Sequence, residues 1–139
     1  MADRKAAIKR DTLETQIQVS INLDGSGNYN VDTGVPFLDH MLDQVARHGG
    51  FSLQLNCKGD LDVDEHHTVE DVGIALGQAM SQALGDQRGI PRYGSCHLAV
   101  DDEPVRFALD LSGPPQLLCN IELRFGQTVH LRHAPLPQL

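Results

Sequence analysis

The chain has 139 residues, of which 40% are hydrophobic and 22% are charged. This length and composition fit one globular domain with a core of its own. No stretch approaches the run of about 20 apolar residues that a membrane span needs, and residues 1–10 lack the apolar centre of a signal peptide. The net charge of -8 argues against a nucleic-acid-binding protein, which would usually carry a basic patch.

The cysteines indicate where the protein works. Cys57, Cys96 and Cys119 lie far apart and have no CxxC spacing. An odd number of cysteines without a secretory signal is typical of reduced thiols, so we expect a cytoplasmic protein.

The first half of the chain predicts two strands and a helix. Residues 13–23 nearly alternate apolar and polar side chains, which is typical of a half-buried strand. A turn at 24–28 leads to a short strand at 29–33, and together they predict a β-hairpin. Residues 37–48 predict a helix that Gly49 and Gly50 end. Its apolar face is predicted to consist of Leu38, Met41, Leu42 and Val45.

Two more strands and a longer helix are predicted next. Residues 51–57 alternate again, and 61–63 predict a further short strand. Residues 66–84 predict the longest helix, with Asp64 or Glu65 at its amino-terminal end, where a negative charge suits the helix dipole. Beyond residue 92 the patterns predict only strands, at 93–100, 104–111 and 116–124.

This order of elements favours the α+β class. The prediction is a four-stranded, mostly antiparallel sheet with two helices on one face. The predicted domains are a first α+β unit at 1–92, the strands of an incomplete second unit at 93–124, and a divergent tail at 125–139.

The candidate chemistry lies in the segment DEHHTVED at 64–71, within a region where four of the seven histidines fall between positions 40 and 67. On a helix, His66 and Glu70 share one face, and His67 and Asp71 have the same spacing. Each such pair can share a metal ion. His67 points about 100° around the axis from His66, so it suits a different ion or a site shared with another subunit.

A third imidazole comes from the pair Asp39-His40. Asp39 would accept a hydrogen bond that fixes the tautomer of His40. Imidazole and carboxylate ligands without a thiolate suit Mn, Fe, Co, Ni or Zn.

These features also have ordinary structural interpretations. HHxxE can be a solvated helix start in an acidic protein. His48 can be a cation that stabilises a helix carboxyl end by about 0.3–1 kcal/mol. Arg92 can be a surface arginine, although a guanidinium also binds phosphate through paired hydrogen bonds. Gly25 and Gly27 join strand to strand, which excludes a nucleotide loop, and no arrangement for covalent catalysis is found.

Four segments resemble the imidazoleglycerol-phosphate dehydratase family. They are ETQIQVSINLDGSG at 14–27, FLDHMLDQVARHGGF at 37–51, KGDLDVDEHHTVEDVGIALGQA at 58–79 and ALGDQRGIPRYG at 83–94. The combination of DHMLDQ, ARHGG and DxHHTxED in that order is highly specific, and the resemblance covers residues 4–123.

The resemblance implies a duplicated α+β fold, assembled into homo-oligomers whose sites are shared between subunits. The implied enzyme is a lyase of histidine biosynthesis that removes water from imidazole glycerol phosphate to give imidazole acetol phosphate. Two Mn²⁺ ions would act as Lewis acid and template. The implied partner is a small phosphorylated imidazole, with no nucleic acid and no membrane.

The matching motifs also imply roles for single residues. The implied metal ligands are His40, His66, His67 and Glu70. The implied substrate-binding residues are Glu14, His40, Asp43, Gln44, Arg47, His48 and Arg92, the last for the phosphate. Glu14 and Glu70 are the implied catalytic carboxylates, and we favour Glu14 for proton transfer because a tight metal ligand is a poor free base.

The sequence departs from the family pattern in three places. A second histidine-rich motif is not found, Pro114 stands where the family has a phosphate-binding arginine, and the similarity ends after about Phe125. An alternative function is therefore a catalytically impaired member of the family that oligomerises or binds metal through half-sites. A third hypothesis is a different metal-dependent lyase or hydrolase that shares only the HHxxE helix.

Overall fold

Both compact units of the chain contain β-strands. A computed structural model describes residues 4–100, 103–112 and 116–118, apart from the side chains of residues 100 and 103. The chain divides between Arg88 and Gly89. The described strands are β1 (Lys5–Asp11), β2 (Thr15–Asn22), β3 (Tyr29–Asp32), β4 (Ser52–Gly59), β5 (Tyr93–Val100) and β6 (Glu103–Asp110). The described helices are α1 (Pro36–Gly49) and α2 (His66–Leu84).

The first unit contains a four-stranded sheet with the order β1-β2-β4-β3. β2 is antiparallel to both of its neighbours, whereas β3 is parallel to β4. A parallel pair needs a crossover connection, which α1 supplies between β3 and β4. The predicted α+β class, with a mostly antiparallel sheet and two helices, is confirmed.

The β-hairpin predicted for residues 13–33 is wrong, because β4 lies between β2 and β3. After β2 the chain does not fold back to pair with β2. Instead, the N–H of Leu53 in β4 donates to the carbonyl of Asn28, the residue before β3, at 2.9 Å. β4 buries Leu53, Leu55 and Cys57, and it pairs with β2 on one side and with β3 on the other. The short β3, with only Val31 partly buried, takes the edge, where short strands are usual.

The fourth strand of the sheet is also not the predicted one. Residues 61–63 form a turn, which the Val63 N–H closes by donating to the Asp60 carbonyl at 2.8 Å. The place is taken by β1, which pairs with β2 from Lys5 opposite Asn22 to Asp11 opposite Gln16. Four charged residues in β1 conceal its short apolar alternation, so the sequence pattern did not reveal it.

The core lies between one face of this sheet and the two helices. On β2 the buried residues alternate with exposed polar ones, as predicted. α2 covers the sheet with a stripe of mostly small buried side chains, which lets the helix lie close to the strands: Thr68, Val72, Ala75, Ala79 and Ala83. At Gly59 a Cβ would stand 2.0 Å from Thr68 Oγ1, so this approach requires glycine.

Both helices lie where the periodicity predicted them. The carboxylate of Asp64 accepts a hydrogen bond from the His66 N–H at 2.7 Å at the start of α2. α1 ends at Gly49 and is followed by Gly50, whose φ of 70° is left-handed and therefore favours glycine. The predicted apolar face of α1 is half right. The buried Ala46 lies in the middle of the helix face that meets the core. Leu38 and Leu42 pack on the core at this face, whereas the exposed apolar residues of the helix are Phe37, Met41 and Val45.

The second unit contains a two-stranded antiparallel sheet, with Tyr93 opposite Asp110 at one end. These strands confirm the predictions at 93–100 and 104–111. Residues 116–118 are not in a strand; the remainder of the strand predicted at 116–124, and the tail at 125–139, lie outside the described residues. Within the described ranges, neither helix combines the length and apolar character of a membrane span.

The core assignment predicts a large difference between two leucines. Leu53 is completely buried and Leu13 is fully exposed. We expect Leu53→Ala to lower the free energy of unfolding by about 2–5 kcal/mol, because it leaves a cavity. The matched change Leu13→Ala should alter it by less than about 0.5 kcal/mol. Urea unfolding measures both, and equal effects would contradict the described core.

Candidate functional site

The first turn of α2 brings an imidazole and a carboxylate together. His66 Nε2 lies 3.2 Å from Glu70 Oε2, one helical turn further on, and both side chains are about half exposed. The predicted common face is confirmed. Two ligands at right angles around one ion, each about 2.1 Å away, would be about 3 Å apart. The pair therefore fits adjacent positions around one cation.

His67 faces a different pair of carboxylates. Its Nδ1 lies 2.9 Å from Asp60 Oδ2, and its Nε2 lies 3.9 Å from Glu14 Oε1. The two neighbouring imidazole rings are 5.8 Å apart, with their planes at 70°. The hydrogen bond with Asp60 raises the pKa of His67, outweighing the desolvation of the ring, and the charge of Glu14 adds to the effect.

The predicted pairing of His67 with Asp71 is wrong. Asp71 is buried and points towards the strands, where its Oδ1 accepts hydrogen bonds from Arg10 Nε at 3.1 Å and Nη2 at 2.8 Å. Its Oδ2 accepts one from the Thr15 hydroxyl at 2.6 Å. Burial opposes ionisation of Asp71, but the hydrogen bonds from Thr15 and Arg10 hold its pKa below the usual range. Asp71 therefore fixes the helix to the sheet.

The same network holds the turn that carries Glu14. The Thr12 hydroxyl donates to Asp71 Oδ2 at 3.3 Å and accepts from the backbone N–H groups of Glu14 at 3.2 Å and Thr15 at 2.9 Å. Glu14 borders an open cleft of about 200 Å³ between this turn and the end of β4. Asp71 thus links the candidate acid–base residue to the helix with the candidate ligands.

On α1, Asp39 does not have its predicted role. Its Oδ1 accepts hydrogen bonds from the Thr33 N–H at 2.9 Å and the Thr33 hydroxyl at 2.6 Å. Adjacent residues on a helix point about 100° apart, so Asp39 turns to the preceding loop while His40 is exposed. Asp39 positions the start of the helix.

The other α1 candidates occupy the carboxyl-terminal half of the helix. His48 Nε2 lies 3.1 Å from Gln44 Oε1. Asp43 Oδ1 is buried and has no hydrogen-bond partner among the described residues. Arg47 is exposed. Their roles in binding substrate remain predictions.

Arg92, in the second unit, is held by a carboxylate. Its Nε donates to Asp110 Oδ1 at 2.9 Å, and its Nη2 donates to Asp110 Oδ2 at 3.2 Å and to the Ser112 hydroxyl at 2.8 Å. The hydrogen bond and charge of Asp110 raise the pKa of Arg92. The guanidinium is thus organised at the start of β5, and its role towards phosphate stays a prediction.

Among the metal-ligand candidates, the structure brings one pair into contact, His66 and Glu70. Residues 4–100, 103–112 and 116–118 contain no group of three or more His, Cys, Asp or Glu side chains that could hold a metal ion. The structure therefore joins His66 to Glu70 but does not bring His40 to them. The sequence analysis did not identify Asp60, Thr12 and Thr15 as residues of the site. The sequence pattern gave no signal for them except the glycine before Asp60, which indicated a turn.

Known proteins share this arrangement of elements and motifs. The family described as imidazoleglycerol-phosphate dehydratase matches residues 33–134, which extends past Phe125. The relative of that name from Marinobacter nauticus is 60% identical over 121 residues, covering 87% of this chain and 61% of its own length. The one from Cereibacter sphaeroides is 63% identical over 118 residues, covering 85% and 60%.

A solved structure agrees with the fold. The crystal structure of imidazoleglycerol-phosphate dehydratase from Staphylococcus aureus has a TM-score of 0.76 and 32% sequence identity, and it covers 89% of this chain and 67% of that one.

Fold and site together define an α+β protein whose candidate chemistry rests on imidazole and carboxylate groups at a helix start. The chain belongs to the imidazoleglycerol-phosphate dehydratase family. It spans about 60% of the length of the curated relatives it matches.

The buried carboxylate gives a stability prediction. Asp71→Ala removes the partner of Arg10 and of two threonine hydroxyls. We expect a loss of about 2–4 kcal/mol in the free energy of unfolding, because polar groups are left unpaired. Asp62→Ala in the exposed turn should change it by less than about 0.5 kcal/mol. A loss below about 1 kcal/mol for Asp71→Ala in urea unfolding would show that this network does not hold α2.

Proposed function

We propose that this chain takes part in the dehydration of imidazole glycerol phosphate to imidazole acetol phosphate, as a carbon–oxygen lyase of cytoplasmic histidine biosynthesis. The observation that carries the proposal is the convergence of His66 Nε2 and Glu70 Oε2 within 3.2 Å. It occurs inside the motif DEHHTVED, in a chain about 60% identical to relatives that bear the dehydratase name. Chemistry and family therefore point to the same reaction.

The proposed cofactor is Mn²⁺. His66 and Glu70 would hold one ion, and His67 and His40 would serve as ligands in the two-metal site. Nitrogen and oxygen donors without a thiolate fit this choice. Bound Mn²⁺ would supply Lewis-acid chemistry and orient the imidazole ring. Since the described residues hold no cluster of three or more such ligands, we propose that another copy of the chain contributes the remaining ones in a homo-oligomer.

Glu14 is the proposed base for the proton on the carbon next to the ring. Its carboxylate is half exposed and lies 3.9 Å from His67 Nε2, while the hydrogen bonds of Thr12 fix its turn. Glu70, the other candidate, faces His66. Glu14 is therefore the carboxylate that can approach a substrate proton to about 3 Å, as proton transfer requires.

The proposed substrate contacts are side chains of α1 in the first unit and, separately, Arg92 immediately before β5 in the second unit. Gln44 and His48 offer hydrogen-bonding groups on one side of α1, and His40, Asp43 and Arg47 complete the set. Arg92 would bind the phosphate through Nη1, since its Nε and Nη2 donate to Asp110 and Ser112 and a charged guanidinium donates strong hydrogen bonds to an oxyanion. Asp110 already orients that guanidinium.

A second candidate function is that of an oligomer that binds metal through half-sites without turnover. The lack of any cluster of three or more ligand side chains within the described residues favours it. It differs from the first in one measurable respect: it predicts Mn²⁺ binding without product.

The activity prediction uses the full chain with added Mn²⁺. We expect formation of imidazole acetol phosphate, and Glu14→Gln should lower kcat by about 100-fold or more, because general-base catalysis contributes that much. Mn²⁺ affinity should be unchanged in this variant. Product formation no faster than in His66→Ala would overturn the dehydration proposal, and stoichiometric Mn²⁺ in that case would support the second candidate.

The ligand prediction is independent of turnover. Titration followed by the electron paramagnetic resonance signal of free Mn²⁺ should show at least about tenfold weaker binding for His66→Ala and for Glu70→Gln, since each loses a direct ligand. His97→Ala, which removes an exposed histidine of β5, should bind like the original chain. Unchanged affinity in both ligand variants would refute the pair as a metal site.

A further inference from the structure

Asp60 is fixed in place immediately before α2. It follows Gly59, the last residue of β4, and its carbonyl accepts the Val63 N–H at 2.8 Å. Its carboxylate is partly buried, and Oδ2 lies 2.9 Å from Nδ1 of His67. The backbone turn therefore aims this carboxylate at one nitrogen of one histidine.

The contact determines where the proton of a neutral His67 resides. An ionised carboxylate can only accept hydrogen bonds, so Nδ1 must carry the hydrogen and Nε2 must carry the lone pair. Free histidine in water favours the opposite tautomer. The nearest carboxylate on the other side, Glu14, is 3.9 Å from Nε2, which is too far for a hydrogen bond. Glu14 therefore does not compete for the proton.

The side-chain hydrogen bond that the structure describes for Asp60 is the one with His67. Oδ1 is buried and has no hydrogen-bond partner among the described residues. Burying a polar atom without a partner costs free energy. The hydrogen bond to His67 is the compensating side-chain interaction.

We propose that Asp60 is a positioning residue that holds His67 as the Nδ1–H tautomer and directs its Nε2 lone pair to the side on which Glu14 lies. This extends the dehydratase motif to a residue outside DxHHTxED. The tautomer follows from the contact alone. The use of that lone pair as a metal ligand rests on the proposed function.

The test reads the tautomer directly in the metal-free full chain. Long-range ¹H–¹⁵N spectra of ¹⁵N-histidine-labelled protein are recorded at a pH where the His67 signal no longer changes with pH, and His67→Gln assigns that signal. We expect the Nδ1–H pattern in the original chain. Asp60→Ala should convert it to a mixture dominated by Nε2–H, and Asp60→Asn should restore Nδ1–H, since the amide oxygen still accepts. Asp62→Ala, in the same turn, should leave it unchanged.

An Nε2–H pattern in the original chain would overturn the proposal, whether or not any variant folds. So would a tautomer that Asp60→Ala leaves unchanged in a folded protein.

Mn²⁺ titration of the same variants separates this proposal from the proposed function. Loss of a carboxylate that orients a ligating histidine typically weakens metal binding by about 10–100-fold, and we expect that loss for Asp60→Ala with partial recovery in Asp60→Asn. If the tautomer responds as expected but no variant changes Mn²⁺ affinity, Asp60 still positions His67. The assignment of His67 as a ligand is then wrong.

Discussion

The buried carboxylate of Asp71 is the constraint on which the candidate site depends. It joins the second turn of α2 to Arg10 on β1 and to Thr15 on β2, across 61 and 56 residues of sequence. An ionised group in this position must be paired, because an isolated buried charge is very unfavourable. The pairing leaves one acceptable position for the start of the helix. His66, Glu70 and the turn that carries Glu14 are placed relative to each other by this interaction before any ion or substrate binds.

Local periodicity predicted the elements, and competition between strands decided their arrangement. β2, α1 and α2 were recognised because each buries one face, and such a face leaves a regular pattern in the sequence. The hairpin was wrong because alternation does not say which strand becomes the neighbour. β4 is apolar enough to occupy a central position in the sheet, and β3 therefore lies at the edge. β1 was missed because its charged residues conceal the short apolar alternation.

The site shows the same division between local and distant contacts. The contact between His66 and Glu70 follows from helix geometry alone, so the sequence was sufficient to predict it. The sequence could not predict whether His67 contacts Asp71 or Asp60, because both carboxylates are close to it in sequence. Only the fold shows that Asp71 points towards the strands. Asp39 illustrates the same point, because Thr33 binds the carboxylate that spacing had assigned to His40. Ion pairs and tautomers thus depend on tertiary structure, even within a motif that identifies the family.

The most direct measurement is the anomalous diffraction of crystals of this chain grown with Mn²⁺. We expect an anomalous peak within bonding distance of both His66 Nε2 and Glu70 Oε2, with α2 still fixed by Asp71. A peak that contacts neither atom, or a Glu70 carboxylate turned away from a metal-bound His66, would contradict it.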